Sequence, residues 1–299
     1  MRRYLFLVIF LLATSSKAQF FKQTTANSHL YTIPVNPDYV RDQKIKSLRI
    51  TYAWKEDGQR IQSKNTSKNI NFNANGLPFH ELDIAVSDSS ETFYYYRGDT
   101  LVIKRKFTAK EILAAYFSYD TQNRPLREVR CKEFPANPEE PIFSREFFKL
   151  GKQEVFWTES YSYEQLSKNQ TRKKTYNDKE IVYKEGIVYA DEHNLTNSEI
   201  SRFTATGVSE NNNYVYDSKN QLLEKTFYTD VAGILEEKTI FTYDAYGNIS
   251  TEKFYRNSIL QKEMIYFYSS NGKYPEAILT KYPDRKTIDM QTIQVEFYP

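Results

Sequence analysis

The chain has 299 residues, with 25 Tyr and 20 Phe but only 9 Gly and one Cys, and its 41 basic residues nearly balance 38 acidic ones. A single cysteine excludes an internal disulfide, so burial and hydrogen bonding must hold the fold. The balanced charge excludes the strongly basic surface that nucleic acid or anionic lipid would select.

The chain opens "MRRYLFLVIFLLATSSKA". Arg2 and Arg3, an apolar run from Tyr4 to Ala13 and the small residues Ser16 and Ala18 predict a secretory signal cleaved after Ala18, giving a mature start at Gln19. The apolar run is too short to span a bilayer, and no later stretch is apolar enough for a helical span. Removing Arg2, Arg3 and Lys17 leaves 38 basic residues against 38 acidic ones, so the net charge of +3 belongs to the leader. The expected location is periplasmic or extracellular.

Residues 19–45 read as an extended lead-in, because "SHLYTIPVNPDYV" (Ser28 to Val40) holds two prolines. From about residue 46 to 299, aromatic and β-branched residues interleave with Lys and Glu, which suits half-buried strands. Turn signals punctuate them at "KEDGQRI" (Lys55 to Ile61), "FNANGLPF" (from Phe72) and "YRGDTLV" (Tyr96 to Val102). "TAKEILAAYF" (Thr108 to Phe117) is the best local candidate for a helical turn, and fits a strand as well. Cys131 falls in a strand-like "LREVRCKEF", where it is half-buried or pairs with another chain. "FPANPEEPIF" (Phe134 to Phe143) fits an enlarged loop, and "YNDKEIVYKEGIVY" (Tyr176 to Tyr189) reads as two tight turns flanking a short strand.

The clearest signal repeats. "YDTQNRPL" starts at Tyr119, "YADEHNLT" at Tyr189, "YDSKNQLL" at Tyr216, "YDAYGNIS" at Tyr243 and "YSSNGKYP" at Tyr268. The last four are spaced by 27, 27 and 25 residues, the period of a stacked repeat with two strands and two turns per unit. In each motif an Asp or Asn side chain can hold a turn by accepting backbone N–H bonds, and a following Asn or Gly tolerates the left-handed closing conformation. The predicted turn residues are Asp120, Asn123, Asp217, Asn220, Asp244 and Gly247; His193 falls in the slot of Asn220 and Gly247. Aligning units on their tyrosines puts Leu195, Leu222 and Ile249, then Ile200, Phe227 and Phe254, at matching core positions. The predicted fold is all-β: an antiparallel β-hairpin meander forming a twisted sheet or open shell.

These Tyr-Asp motifs resemble the repeats of the Rhs/YD-repeat family, chiefly over residues 189–282. In that family such repeats wind into sheets and shells, and large members enclose toxins or face other cells. The resemblance implies the fold more than an activity. This chain is short beside the large members and shows no toxin domain, which leaves a partner or remnant of an Rhs-like toxin system as one implied role.

No catalytic or metal pattern emerges, and no cofactor is expected. His29, His80 and His193 form no zinc-binding spacing and read as solvated loop residues. Glu224, Glu236, Glu237, Glu252 and Glu263 alternate with lysines, as cross-strand pairs on a solvated face would. The alternative is a carbohydrate hydrolase with a carboxylate pair on a concave aromatic sheet. The doublets Phe227-Tyr228 and Phe254-Tyr255 send Phe to one face and Tyr to the other. Tyr228 and Tyr255 therefore mark a candidate binding surface for a glycan or an envelope protein. The four glycosylation-type sequons, at Asn65, Asn169, Asn194 and Asn248, read as incidental to a chain rich in Asn turns.

Overall fold

A computed structural model describes residues 19–21, 35–137, 149–231 and 235–299. The alternating aromatic and polar runs form strands, and most of the turn signals within the described residues join two of them. The strands are β1 (Ile45–Glu56), β2 (Gln62–Phe72), β3 (Pro78–Ile84), β4 (Ser89–Arg97), β5 (Thr100–Phe107) and β6 (Ile112–Tyr119). They continue as β7 (Pro125–Pro135), β8 (Leu150–Ser167), β9 (Gln170–Tyr176), β10 (Val182–Ala190), β11 (Thr196–Phe203) and β12 (Ser209–Tyr216). The last six are β13 (Leu222–Thr229), β14 (Leu235–Tyr243), β15 (Ile249–Arg256), β16 (Ile259–Tyr268), β17 (Pro275–Lys281) and β18 (Thr287–Phe297).

Every strand pairs antiparallel with its sequence neighbours, and β1 pairs with β18 from Ile45↔Phe297 to Glu56↔Thr287. The sheet is thus a closed 18-stranded antiparallel barrel, not the open sheet or shell read from the sequence. Closure removes the two free edges that an open meander would leave exposed.

Strand alternation gives the barrel two faces. Leu48, Ile50, Ile70, Phe72, Tyr214, Leu222, Phe241, Ile249, Ile278 and Ile293 share the more buried one, and they form one cluster with Phe20, Phe21, Tyr39 and Val40 of the N-terminal segment. Side chains on a concave face converge, so this is the inner face. The cluster lies at one end of the barrel. There α1 (Pro37–Asp42) begins after Asn36, and Tyr39 donates to the Lys273 carbonyl at 2.5 Å. Residues 37–42 are therefore helical, where the sequence suggested an extended lead-in; Pro37 stands in the first turn, where its missing N–H costs nothing. Residues 28–34 of that lead-in lie outside the described residues.

Three local readings change. The stretch from Thr108 is a turn closed by Thr108 and Glu111, followed directly by β6, with no helix. Only one turn, Asn177–Ile181, lies within 176–189, because Gly186 sits inside β10, packed against Ile200 and Ser201 of β11. His80 is half-buried in β3, bonded to Asn71 at 3.0 Å and Glu91 at 3.1 Å, and is not a solvated loop residue. Cys131 is buried in β7, and burial pushes its thiol pKa up.

Candidate functional site

The turns are built alike. Asp120, Asp217 and Asp244 each accept the backbone N–H groups two and four residues on, at 2.8–2.9 Å. Asn73, Asn177 and Asp191 do the same at 2.8–3.1 Å. The residue three after each is left-handed: Gly76, Asn123, Glu180, Asn194, Asn220 and Gly247. Ser269 with Gly272 is a seventh, looser copy. Because strands alternate in direction, six of these seven turns fall at the end that holds α1; the turn at Asn177 falls at the other.

The tyrosine before the turn has a separate role. Tyr216 donates to the Thr196 carbonyl at 2.9 Å, Tyr243 to Leu222 at 2.6 Å and Tyr268 to Ile249 at 3.1 Å. Each acceptor lies five residues after the Asx residue of the preceding hairpin. Tyr96 reaches Pro78, five after Asn73, in the same way at 2.7 Å. The tyrosine thus pins one repeat to the next.

The turn, not the aromatic residue, sets the frame. "YAD" carries an extra residue, so Asp191 corresponds to Asp217 and Asp244, and Ala190, not Tyr189, stands in the place of Tyr216 and Tyr243. The left-handed slot there belongs to Asn194, and His193 is displaced from it. The same slip corrects the predicted core position at Ile200. It pairs with Asn211 on the outer face and is 45 % exposed, while Ser201 takes the inward place of Phe227 and Phe254. Leu222 and Ile249 are buried.

Tyr228 and Tyr255 both point outward, opposite Glu236 and Lys238 respectively, on strands two apart. The carboxylates grouped in the sequence on one face divide between two. Glu224–Lys238 at 2.8 Å and Lys253–Glu263 at 3.3 Å are outer pairs, whereas Glu252 faces inward and accepts from Tyr266 at 3.0 Å. Asn248, one of the sequon residues, is 1 % exposed. Among the described residues no group of three or more His, Cys, Asp or Glu could hold a metal ion.

Two ionic centres escaped the sequence reading because their members come from different strands. On the outer face Arg105 of β5 pairs with the fully buried Glu133 of β7 at 2.5 Å, and Tyr116 of β6 donates to the same carboxylate. Burial, then the hydrogen bond to Glu133, pushes the Tyr116 pKa up to about 12. The second centre borders a pocket of about 510 Å³ at the barrel end opposite α1. Its wall contains the consecutive residues Val155 to Glu159 of β8, with Asn177, Asp178 and Tyr183. A regular strand sends alternate side chains to opposite faces. Here the pairs Arg130↔Trp157 and Cys131↔Val155 leave Phe156 as the extra residue of a bulge, which breaks that alternation. Arg130 lies over the Trp157 ring at 4.5 Å and binds Glu128 at 2.8 Å. Glu159, directly across from Glu128, accepts from both Tyr161 and Tyr183. Burial, then the Glu159 contact, raises the Tyr161 pKa.

No family model and no curated protein matches the chain. Among solved structures it is similar to a porin-like protein from Bacteroides uniformis ATCC 8492, at 8 % identity over 84 % of this chain and 98 % of that one, with a TM-score of 0.37. A porin-like protein from Bacteroides vulgatus ATCC 8482 aligns at 11 % identity over 85 % and 98 % of the two chains, with a TM-score of 0.32. A chain of the TcdB2-TccC3-Cdc42 structure aligns at 11 % identity over 73 % of this chain and 15 % of that one, with a TM-score of 0.16.

Proposed function

We propose that this chain is an exported, YD-repeat-like β-barrel that stands in water at the bacterial cell envelope and works as a binding or structural module through its surface. The observation that carries the proposal is charge on both faces of the closed sheet. The outer face holds Glu164–Arg172 at 2.7 Å, Arg172–Glu185 at 3.3 Å and Glu224–Lys238 at 2.8 Å. The inner face holds Lys68–Asp83 at 2.9 Å, Lys173–Glu199 at 3.9 Å and Lys184–Glu210 at 2.5 Å. A barrel that spans a bilayer needs an outward apolar band, and a single Lys or Arg at its midplane costs roughly 2–4 kcal/mol. Among the described residues neither face is uniformly apolar, since each carries these ion pairs. Turns that each satisfy their own backbone groups, and tyrosines that lock hairpin to hairpin, support the YD-repeat-like reading.

Tyr228 and Tyr255 then supply outward aromatic contacts for a glycan or an envelope protein. The double variant Tyr228→Ala/Tyr255→Ala should keep the melting temperature of the parent and lose co-sedimentation with an isolated envelope fraction. Unchanged co-sedimentation would remove these tyrosines from the function, and co-flotation of the detergent-free protein with liposomes, with an ion conductance in planar bilayers, would refute the water-surrounded barrel.

The cross-strand pair Glu128↔Glu159 favours a second reading, a carbohydrate hydrolase, since two neighbouring carboxylates beside a pocket are what glycoside cleavage uses. Loss of a measurable polysaccharide hydrolysis in Glu128→Gln or Glu159→Gln would put that reading first; absence of any hydrolysis by the parent protein would dismiss it.

A further inference from the structure

We propose that the pocket on β8 is a binding site for an ammonium group, the cationic head of a small ligand such as a choline-type or alkylamine moiety. The site is distinct from the Tyr228–Tyr255 surface and does not depend on it. Its wall combines aromatic rings with carboxylates: Phe156, Trp157 and Tyr183 beside Glu159 and Asp178. No lysine or arginine lines it. Arg130, which lies over the Trp157 ring, is paired with Glu128 at 2.8 Å, and the two charges cancel. Glu159 and Asp178 therefore set the sign of the pocket, which is negative.

The geometry sorts ligand classes. Aromatic faces attract cations through their ring quadrupole, and they do so best when the cation is also near a carboxylate. Arg130 lies over Trp157 at 4.5 Å, which holds the ring in place at the pocket wall. The Arg130 guanidinium thus already makes with Trp157 the contact proposed for the ligand. Glu159 is oriented by Tyr161 and Tyr183. Among the described residues no ion pair or side-chain hydrogen bond engages the exposed Asp178 carboxylate, so it is available to the ligand. An anionic ligand would meet two carboxylates. A neutral sugar would gain the aromatic stacking but nothing from the charge. The bulge explains why the site lies here: the extra residue Phe156 suspends the strict alternation of β8, so the consecutive residues Val155 to Glu159 border one pocket. A pocket of about 510 Å³ lies within the size range of small-ligand sites.

The test is calorimetric titration of the whole protein with choline, with its uncharged isostere 3,3-dimethyl-1-butanol and with a neutral disaccharide. The expected result is saturable choline binding, at least about tenfold tighter than the isostere, consistent with a partly desolvated cation–aromatic contact. Phe156→Ala and Asp178→Asn, both at exposed positions and so neutral to the fold, should each weaken choline about three- to tenfold. Trp157→Ala should abolish binding, and Trp157→Phe should restore part of it. Equal affinity for choline and the isostere, a preference for the disaccharide, no saturable choline binding, or choline binding unaffected by Phe156→Ala and Asp178→Asn would overturn the proposal.

Discussion

Asn248→Ala should destabilise the barrel far more than a surface amide normally could. The side chain is 1 % exposed and joins three parts of the chain. Its Nδ2 donates to the Gly272 carbonyl at 2.9 Å, linking the β14–β15 turn to the β16–β17 turn, and approaches the Asp244 carboxylate at 3.3 Å. Its Oδ1 accepts from the Phe20 backbone at 3.5 Å, which ties the N-terminal segment to the barrel. Losing one well-formed hydrogen bond costs about 1 kcal/mol, and leaving a buried carbonyl without a donor adds about 1–2 kcal/mol. The long bond to Phe20 contributes little. The sum is about 2–3 kcal/mol, which in a domain of this size lowers the melting temperature by roughly 5–10 °C. Thermal unfolding followed by far-UV circular dichroism, checked by urea midpoint and slope, measures it. Asn248→Asp should be worse at pH 7, since a carboxylate would face the Gly272 carbonyl and Asp244, and should recover in part below pH 4. A change under 0.5 kcal/mol for Asn248→Ala, a threshold set by the ordinary effect of surface substitutions, would show that these three contacts do not hold the turns together.

Tyr243→Phe and Tyr268→Phe each remove one inter-repeat hydrogen bond and should cost about 0.5–1.5 kcal/mol in urea denaturation, with no change at the turn itself. Glu133→Ala takes the carboxylate from a buried ion pair and should cost roughly 3–5 kcal/mol, read as a fall in the denaturation midpoint at constant slope. Burial raises the pKa of Tyr214 and Tyr243 to about 12 in the fold. Below about pH 10, the ordinary tyrosine value, both states are protonated and this contribution is intact. Between pH 10 and 12 the unfolded chain ionises first, so the folded state holds more protons and stability must fall as pH rises. Urea midpoints at pH 9, 10 and 11, with phenolate absorbance at 295 nm, check this; a flat midpoint across the window would contradict it.

Local features are encoded in short spans of residues. Asp217 binds the N–H groups of Lys219 and Gln221 with no help from the rest of the chain, so the turns, their left-handed residues and the antiparallel strand class are written in short spans of residues. Phe227 and Phe254 facing away from Tyr228 and Tyr255 follows from a period of two. Contacts between distant residues arise only from strand pairing. Closure pairs Ile50 with Ile293, and no turn motif encodes a contact across that separation. A one-residue insertion in "YAD" is invisible to a search anchored on tyrosine, yet it moves Ile200 to the outer face because a slip of one residue exchanges the faces of a strand. Residues 37–42 became helical against the inner cluster, where Tyr39 and Val40 are buried among its apolar side chains. The β8 pocket depends on a bulge set by pairing with β7, and the Arg105–Glu133 pair on two strands separated by a third. Turn chemistry is fixed by neighbours in sequence, whereas faces, closure and sites are fixed by strand register, which the chain acquires only when its strands pair.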